Sequence, residues 1–328
     1  MKNALSGFAF AVILPLLLLV FFETAIRIHP KLLGQGYANF VLSRYNAKKN
    51  GIYVHDPVLK MYLMKENFHT TMYANGYVWD HRTDSKGFRN PVSKDKTDIV
   101  LLGDSFIYGH GLDWEDTLSH FLESEGYDAY NLARQGDSAH SEMYMLSLYG
   151  LPLNPKYVFY FYYRNDISDL FTYGLNEDEM RAFINQPMET IALKESVTRR
   201  IWEESFLDTL SIYRYMQYRS ALFVRKKVLA SADDDLGWEY TQKAIAYMDY
   251  ISGLHGAKFV IVPIVKDTYN DYLILKNFAS EQNIAFLDMS DLNDKKYYLK
   301  NDEHFNEKGH ERMAELVSKY IEKNQPPE

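Results

Sequence analysis

Five short runs of β-forming residues, at 99–102, 127–132, 157–163, 258–264 and 284–289, alternate with stretches whose apolar residues recur at helical spacing. That alternation restricts the chain to an α/β architecture, because consecutive parallel strands need crossover connections and helices supply them. The expected core is a three-layer α/β/α sandwich around a five-stranded parallel sheet. Its helices are expected at Trp114–Ser124, Glu142–Tyr149, Trp238–Leu254, Tyr269–Gln282 and Glu311–Glu322. In an open parallel sheet the carboxyl ends of the strands border the ligand crevice. The residues just after each run are therefore the ones to inspect for chemistry.

The first run, Ile99–Leu102, stops at Gly103-Asp104-Ser105, which puts a serine at that edge. Gly-Asp-Ser is also ordinary turn chemistry, so the weight falls on the far end of the chain. There Asn301-Asp302-Glu303-His304-Phe305-Asn306 precedes Gly309 and the last amphipathic helix. A serine hydroxyl is a weak nucleophile near neutral pH; it needs a base to take its proton and an acceptor to orient that base. His304 and Asp302 are the residue types for those roles. Acyl transfer also needs donors aimed at the oxyanion of the tetrahedral intermediate. The backbone N–H groups of Ser105 and Gly136 and the side-chain amide of Asn165 are candidates. The plain alternatives are a turn glycine and a loop-capping asparagine.

Taken together, Gly103-Asp104-Ser105-Phe106, Asn131-Leu-Ala-Arg-Gln-Gly136, Asn165-Asp166 and Asp302-x-His304-Phe-Asn306 resemble the SGNH or GDSL-like lipase/acylhydrolase family in the family's own order. The resemblance runs from residue 98 to about 322, and Thr83-Asp-Ser-Lys-Gly-Phe-Arg89 looks like the entry segment of membrane-anchored bacterial members. It implies the flavodoxin-like SGNH hydrolase fold and a serine ester hydrolase, an acylesterase or deacetylase, working through an acyl-enzyme. It also implies Ser105 as nucleophile, His304 as base, Asp302 as its orienter, and Ser105, Gly136 and Asn165 as the oxyanion hole. Two departures stand out. The third motif carries Tyr163 where the family usually has glycine, and the last reads Asp-x-His where many members have Asp-x-x-His. O-acyl transfer by the same triad, or an anchored glycan-binding protein without catalysis, are the competing readings.

Residues 1–29 form the expected membrane anchor, since Leu5 to Phe22 is interrupted only by Ser6, Gly7 and Pro15 and about 20 apolar residues span a bilayer. A signal peptide would have an apolar region of ~7–15 residues and a small-residue cleavage site, which Phe21-Phe22-Glu23-Thr24-Ala25-Ile26-Arg27 does not offer. The catalytic domain is expected outside the cytoplasm, although the flanking positive charges, Lys2 on one side and Arg27 and Lys31 on the other, do not by themselves fix that orientation. Residues 30–97 read as a prelude with a hairpin at Asn75-Gly76, and residues 98–328 as the hydrolase-like domain.

A helical insertion at about 170–235, with helices at Asn176–Phe183 and Thr198–Val228, leaves the sheet beside the crevice; it is a lid or a solvated appendage. The net charge of −8 with scattered basic residues excludes a nucleic-acid partner, and the absence of cysteine excludes thiolate catalysis and disulfides. The expected substrate is an ester-bearing glycan or lipid, with no cofactor and no metal. A site at His304 and His310 is the weaker alternative, because the carboxylates around them read as a solvated face. His110, His120, His140 and His255 lack an acid partner in sequence and read as surface or core residues. Arg164 stands where it can meet an anionic or sugar substrate.

Overall fold

The computed structural model describes residues 2–172, 174–196, 198–264 and 270–324. Helix α1 (Lys2–Ile28) is followed by α2 (Gln35–Leu42) and by two antiparallel hairpins, β1 (Tyr53–Asp56) with β2 (Met61–Met64) and β3 (His69–Ala74) with β4 (Tyr77–Arg82). Asn75 and Gly76 form the tip of the second hairpin with φ of 51° and 98°, the left-handed pair that a two-residue turn requires. The core strands are β5 (Ile99–Gly103), β6 (Ala129–Asn131), β7 (Tyr157–Tyr162), β8 (Lys258–Pro263) and β9 (Ala285–Phe286). They form one parallel five-stranded sheet in the order β6-β5-β7-β8-β9.

The connecting helices are α3 (Ser105–Tyr108), α4 (Leu118–Ser124), α5 (Ala139–Met145), α6 (Asn165–Thr172), α7 (Glu177–Asn185), α8 (Ser211–Ala230), α9 (Asp234–Leu254), α10 (Asn270–Glu281) and α11 (Glu307–Lys323). Alternation along the strands assigns each face of the sheet its own core. Val100, Leu102, Tyr160 and Ile261 pack with Ala244 and Met248 of α9 and Leu275 of α10. Ile99, Leu101, Phe159 and Val260 pack with Leu118 and Leu122 of α4 and with α11. Helix α11 is amphipathic by spacing: Met313, Val317 and Ile321 recur at i, i+4 and i+8 and are buried, each contributing about 2 kcal/mol.

The structure departs from the sequence reading in several places. Ser105 opens a four-residue helix rather than sitting in a plain Gly-Asp-Ser turn, because the Asp104 carboxylate accepts from Phe106 N at 2.9 Å and caps that helix. Residues 198–210 form no α-helix, only the 3-10 turn Phe206–Thr209. Arg200 exchanges backbone hydrogen bonds with His55 (2.9 and 3.0 Å), and Trp202 N donates to Ala47 O at 3.0 Å, so this stretch pairs with the prelude and α8 begins only at Ser211. The last strand is two residues long instead of six, as befits a sheet edge, and α5 gives way to a π-turn at Leu146–Gly150. Helix α11 starts four residues early, at Glu307, under an Asn306 cap. The expected helix start at Tyr269 lies outside the described residues. Among the described residues, α1 is the one helix long and apolar enough to cross a membrane, through Ala11–Ile28.

Candidate active site

Strand β5 delivers Ser105 to the carboxyl edge of the sheet, and the loop before α11 brings His304 to the same place from 199 residues away. His304 Nε2 lies 2.7 Å from Ser105 Oγ. Its Nδ1 meets Asp302 Oδ1 in a short hydrogen bond, and its backbone N–H donates to the same oxygen at 3.1 Å. The two-residue spacing makes this possible: the carboxylate at 302 binds both the backbone and the ring of residue 304. The other carboxylate oxygen accepts from Asn75 Nδ2 at 2.7 Å. Burial works to raise the Asp302 carboxyl, but the His304 ring and its charge, the Asn75 amide and the His304 backbone outweigh it and hold the group well below the usual carboxylate range.

From sequence Asn75 reads only as a turn residue. Its amide oxygen accepts from Asn39 of α2 at 2.6 Å, and its N–H donates back to Asn39 at 3.0 Å. The hairpin tip is thereby fixed behind Asp302. His110 is a second residue that sequence reasoning misses. Its ring stacks on His304 with centroids 4.0 Å apart, its Nε2 is 3.7 Å from Asp302 Oδ2, and its Nδ1 is 2.7 Å from Gln135 Oε1. Burial, then the charge of His304, pushes the His110 imidazole down to about 4, so it is neutral near pH 7 and does not oppose an imidazolium at 304. The available signal is its place in Gly109-His110-Gly111, one turn after the serine.

That turn is held by Arg89, which is buried and donates to the carbonyls of Tyr108 (2.9 Å), Gly109 (2.8 Å), Leu112 and Asp80 (3.0 Å). Gly109 and Gly111 have φ of 83° and 82°, conformations that glycine adopts without strain. His140 and His255 behave as satisfied residues, bonded to Tyr240 (2.6 Å) and to the carbonyl of Ile251 (2.8 Å). His310 Nδ1 accepts from Leu118 N at 3.0 Å and forms no ligand-like cluster with His304 among the described residues. Among the described residues, the cluster with ligand-like spacing is His110, Asp302 and His304, with one donor atom from each within 4.8 Å of the others. Asp302 and His304 of this cluster belong to the hydrogen-bonded chain to Ser105, and His110 stacks beside them.

Ser105, His304, Gly136 and Asn165 line one cavity of about 800 Å³, with His110 and Gln135 beside them. Gly136 has φ of 73°, which favours a residue without Cβ. Asn165 Nδ2 donates to Asp169 Oδ2 at 2.9 Å and also faces the buried Asp104 carboxyl, so that amide is already engaged. Burial and the charge of Asp104 raise the Asp166 carboxyl, which accepts from Tyr160 OH at 2.8 Å and supports the start of α6. The far wall is α8, through Val224, Arg225 and Val228 among others. Among the described residues lining the cavity the arginine is Arg225, and Arg164 is not one of them.

A parallel α/β/α sandwich carrying a serine–histidine–aspartate chain at its carboxyl edge defines a serine hydrolase of the SGNH type. The GDSL-like Lipase/Acylhydrolase family matches residues 99–317. The chain belongs to this family and is a serine esterase/acylhydrolase.

Similar solved structures include a GDSL-like lipase (BT0569) from Bacteroides thetaiotaomicron VPI-5482, at 14% identity with 69% of this chain and 87% of that one covered and a TM-score of 0.40. The esterase EstA from Pseudoalteromonas sp. is 12% identical, covering 69% and 97%, with a TM-score of 0.40. A two-domain esterase (CEX) active on acetylated mannans is 12% identical, covering 71% and 51%, also at 0.40. No curated protein sequence matches the chain.

Asp302 adds no proton of its own to the acid limb of the rate. Because its carboxyl is held low, it stays ionised as the pH falls. A log plot of kcat/KM against pH is expected to fall on the acid side with the slope of a single proton. A two-proton slope, with activity recovered on return to neutral pH, would show Asp302 titrating in the same range and contradict this.

Proposed function

We propose that this protein cleaves O-acyl esters of an envelope glycan or lipid through an acyl-enzyme at Ser105. The observation that carries the reading is the Ser105–His304 contact of 2.7 Å with the Asp302 carboxylate fixed behind the ring. Ser105 Oγ attacks the ester carbonyl carbon while His304 Nε2 takes the hydroxyl proton. Asp302 steadies the resulting imidazolium. The oxyanion is received by the backbone N–H groups of Ser105 and Gly136 and by the Asn165 amide, all at one cavity. The C–O bond to the alcohol then breaks, the alcohol leaves with the proton from Nε2, and water repeats the sequence on the acyl-enzyme.

In the same reading α1 is an uncleaved anchor and the hydrolase domain stands outside the cytoplasm. A reporter active only outside the cytoplasm, fused after residue 328, is expected to be active; a silent fusion sinks that orientation. The esterase reading is tested on the full chain in detergent with p-nitrophenyl acetate and, separately, a fluorophosphonate. Stoichiometric mass adducts that map to Ser105, with nitrophenol release from the first reagent, are expected. Adducts on another residue, or none from either reagent, would overturn it.

A further inference from the structure

The wall that α8 contributes to the cavity has a second side. Ser220, Ala221, Val224, Arg225 and Val228 line the cavity, and at 3.6 residues per turn they occupy one flank of the helix. The opposite flank carries Arg219, Leu222, Phe223 and Lys226, with Met216 and Lys227 at its margins. Phe223 is 70% exposed and Met216 62%, and only Ser211 of the whole helix is buried. No aspartate or glutamate occurs between residues 211 and 230, although the chain as a whole is acidic. A solvated helix is rarely both this apolar and this uniformly basic on its outer face. Together the two properties suit the surface of an anionic bilayer.

The place of α8 agrees with its composition. Its amino end is tied to the carboxyl end of α1: Glu23 accepts from the backbone N–H groups of Ser211 (2.7 Å) and Ile212 (3.2 Å), and Arg27 donates to the carbonyl of Thr209. Phe206, 79% exposed, sits in the 3-10 turn Phe206–Thr209 at this junction. Where the candidate span Ala11–Ile28 ends, the insertion begins a basic, apolar-tipped helix that runs along the Ser105 cavity.

We infer that the outer face of α8 docks on the anionic phospholipid surface in which α1 is embedded, making the Ser105 cavity a membrane-apposed site whose esters arrive from that surface. The inference rests on the reading of α1 as an anchor. Leu222, Phe223 and Met216 enter the headgroup region, and Arg219, Lys226 and Lys227 pair with lipid phosphates. Arg225, 3.8 Å from Asp169 on the cavity side, stays with the pocket.

The chain has no cysteine, so a single Phe223→Cys label reports cleanly. The full chain is reconstituted in vesicles of phosphatidylcholine, alone or mixed with phosphatidylglycerol, with an environment-sensitive fluorophore at 223 and bromolipid as quencher. A Glu281→Cys label, at the amino edge of the sheet, serves as reference. Blue-shifted emission and quenching are expected at 223 and not at 281, stronger on the anionic vesicles. Arg219→Glu, Lys226→Glu and Lys227→Glu together should undo them, since each basic residue lost weakens attraction to an anionic surface roughly five-fold. Unquenched emission at 223, or equal quenching on neutral and anionic vesicles, overturns the inference. The label needs no turnover and is read equally well with Ser105→Ala, so this failure is distinct from a failure of the esterase reading. Carbonate extraction separately reports whether α1 is embedded.

Discussion

Alanine at position 105 is expected to lower ester turnover by about 10⁴- to 10⁶-fold, the range seen when the nucleophile of a hydrogen-bonded catalytic triad is removed. The loss is that large because the remaining groups have nothing to activate. His304 keeps its bond to Asp302, and the cavity keeps its donors, but no oxygen is present to attack. The fold should be untouched. Ser105 Oγ bonds His304 at 2.7 Å and otherwise only approaches Asp104 at 3.5 Å, while Asp104, which caps α3, keeps its bond to Phe106 N. Thermal melts of parent and variant should coincide, and steady-state rates with p-nitrophenyl acetate should differ by the full factor. A variant within ten-fold of the parent would place the nucleophile elsewhere.

Replacing Arg89 with alanine should have the largest effect on stability. Its guanidinium is buried, and no carboxylate pairs with it among the described residues; it is held by four backbone carbonyls and stacked 4.8 Å from the Tyr108 ring. Burial lowers its pKa, yet a guanidinium remains charged at any working pH. Without it, the carbonyls of Tyr108, Gly109, Leu112 and Asp80 lose a partner in a place where water must be admitted to replace it. The expected cost is about 3–5 kcal/mol, a fall in melting temperature on the order of 10 °C. Arg89→Lys should recover only part, because an ammonium cannot span the same carbonyls from a planar fork. Activity should fall further than stability alone dictates, since the turn carries His110 against His304. A change below about 1 kcal/mol in urea unfolding would show that the carbonyls find water without strain.

The sheet was legible in the sequence because its signals are local: Ile99–Leu102 and Tyr157–Tyr162 are apolar runs that no amphipathic helix would carry. The proximity of Ser105, Asp302 and His304 was legible because the carboxyl edge of a parallel sheet gathers residues from distant loops. Other features were hidden for physical reasons. Ser105–Tyr108 contains no strong helix former, and the helix there comes from the Asp104 cap. Residues 198–210 have helix-compatible spacing, but pairing with the prelude at His55 and Ala47 wins over it. Asn75 has nothing in its neighbourhood to mark it and His110 only its place between Gly109 and Gly111, since their partners lie across the fold. In sequence Arg225 is one basic residue among several on a solvated helix, and only its approach to Asp169 distinguishes it.

The support behind Asp302 has a bearing on what can be inherited as a piece. The segment that matches the family starts at residue 99, yet the carboxylate behind His304 is braced by Asn75, and Asn75 by Asn39. A gene fragment encoding the family segment alone would carry all three members of the Ser105–His304–Asp302 relay and lack its keystone. The hydrogen-bonded unit that holds Ser105, His304 and Asp302 is therefore longer than the family signature and reaches back to the first helix after the apolar one. Chimeras joined at residue 98 would have to supply a brace of their own.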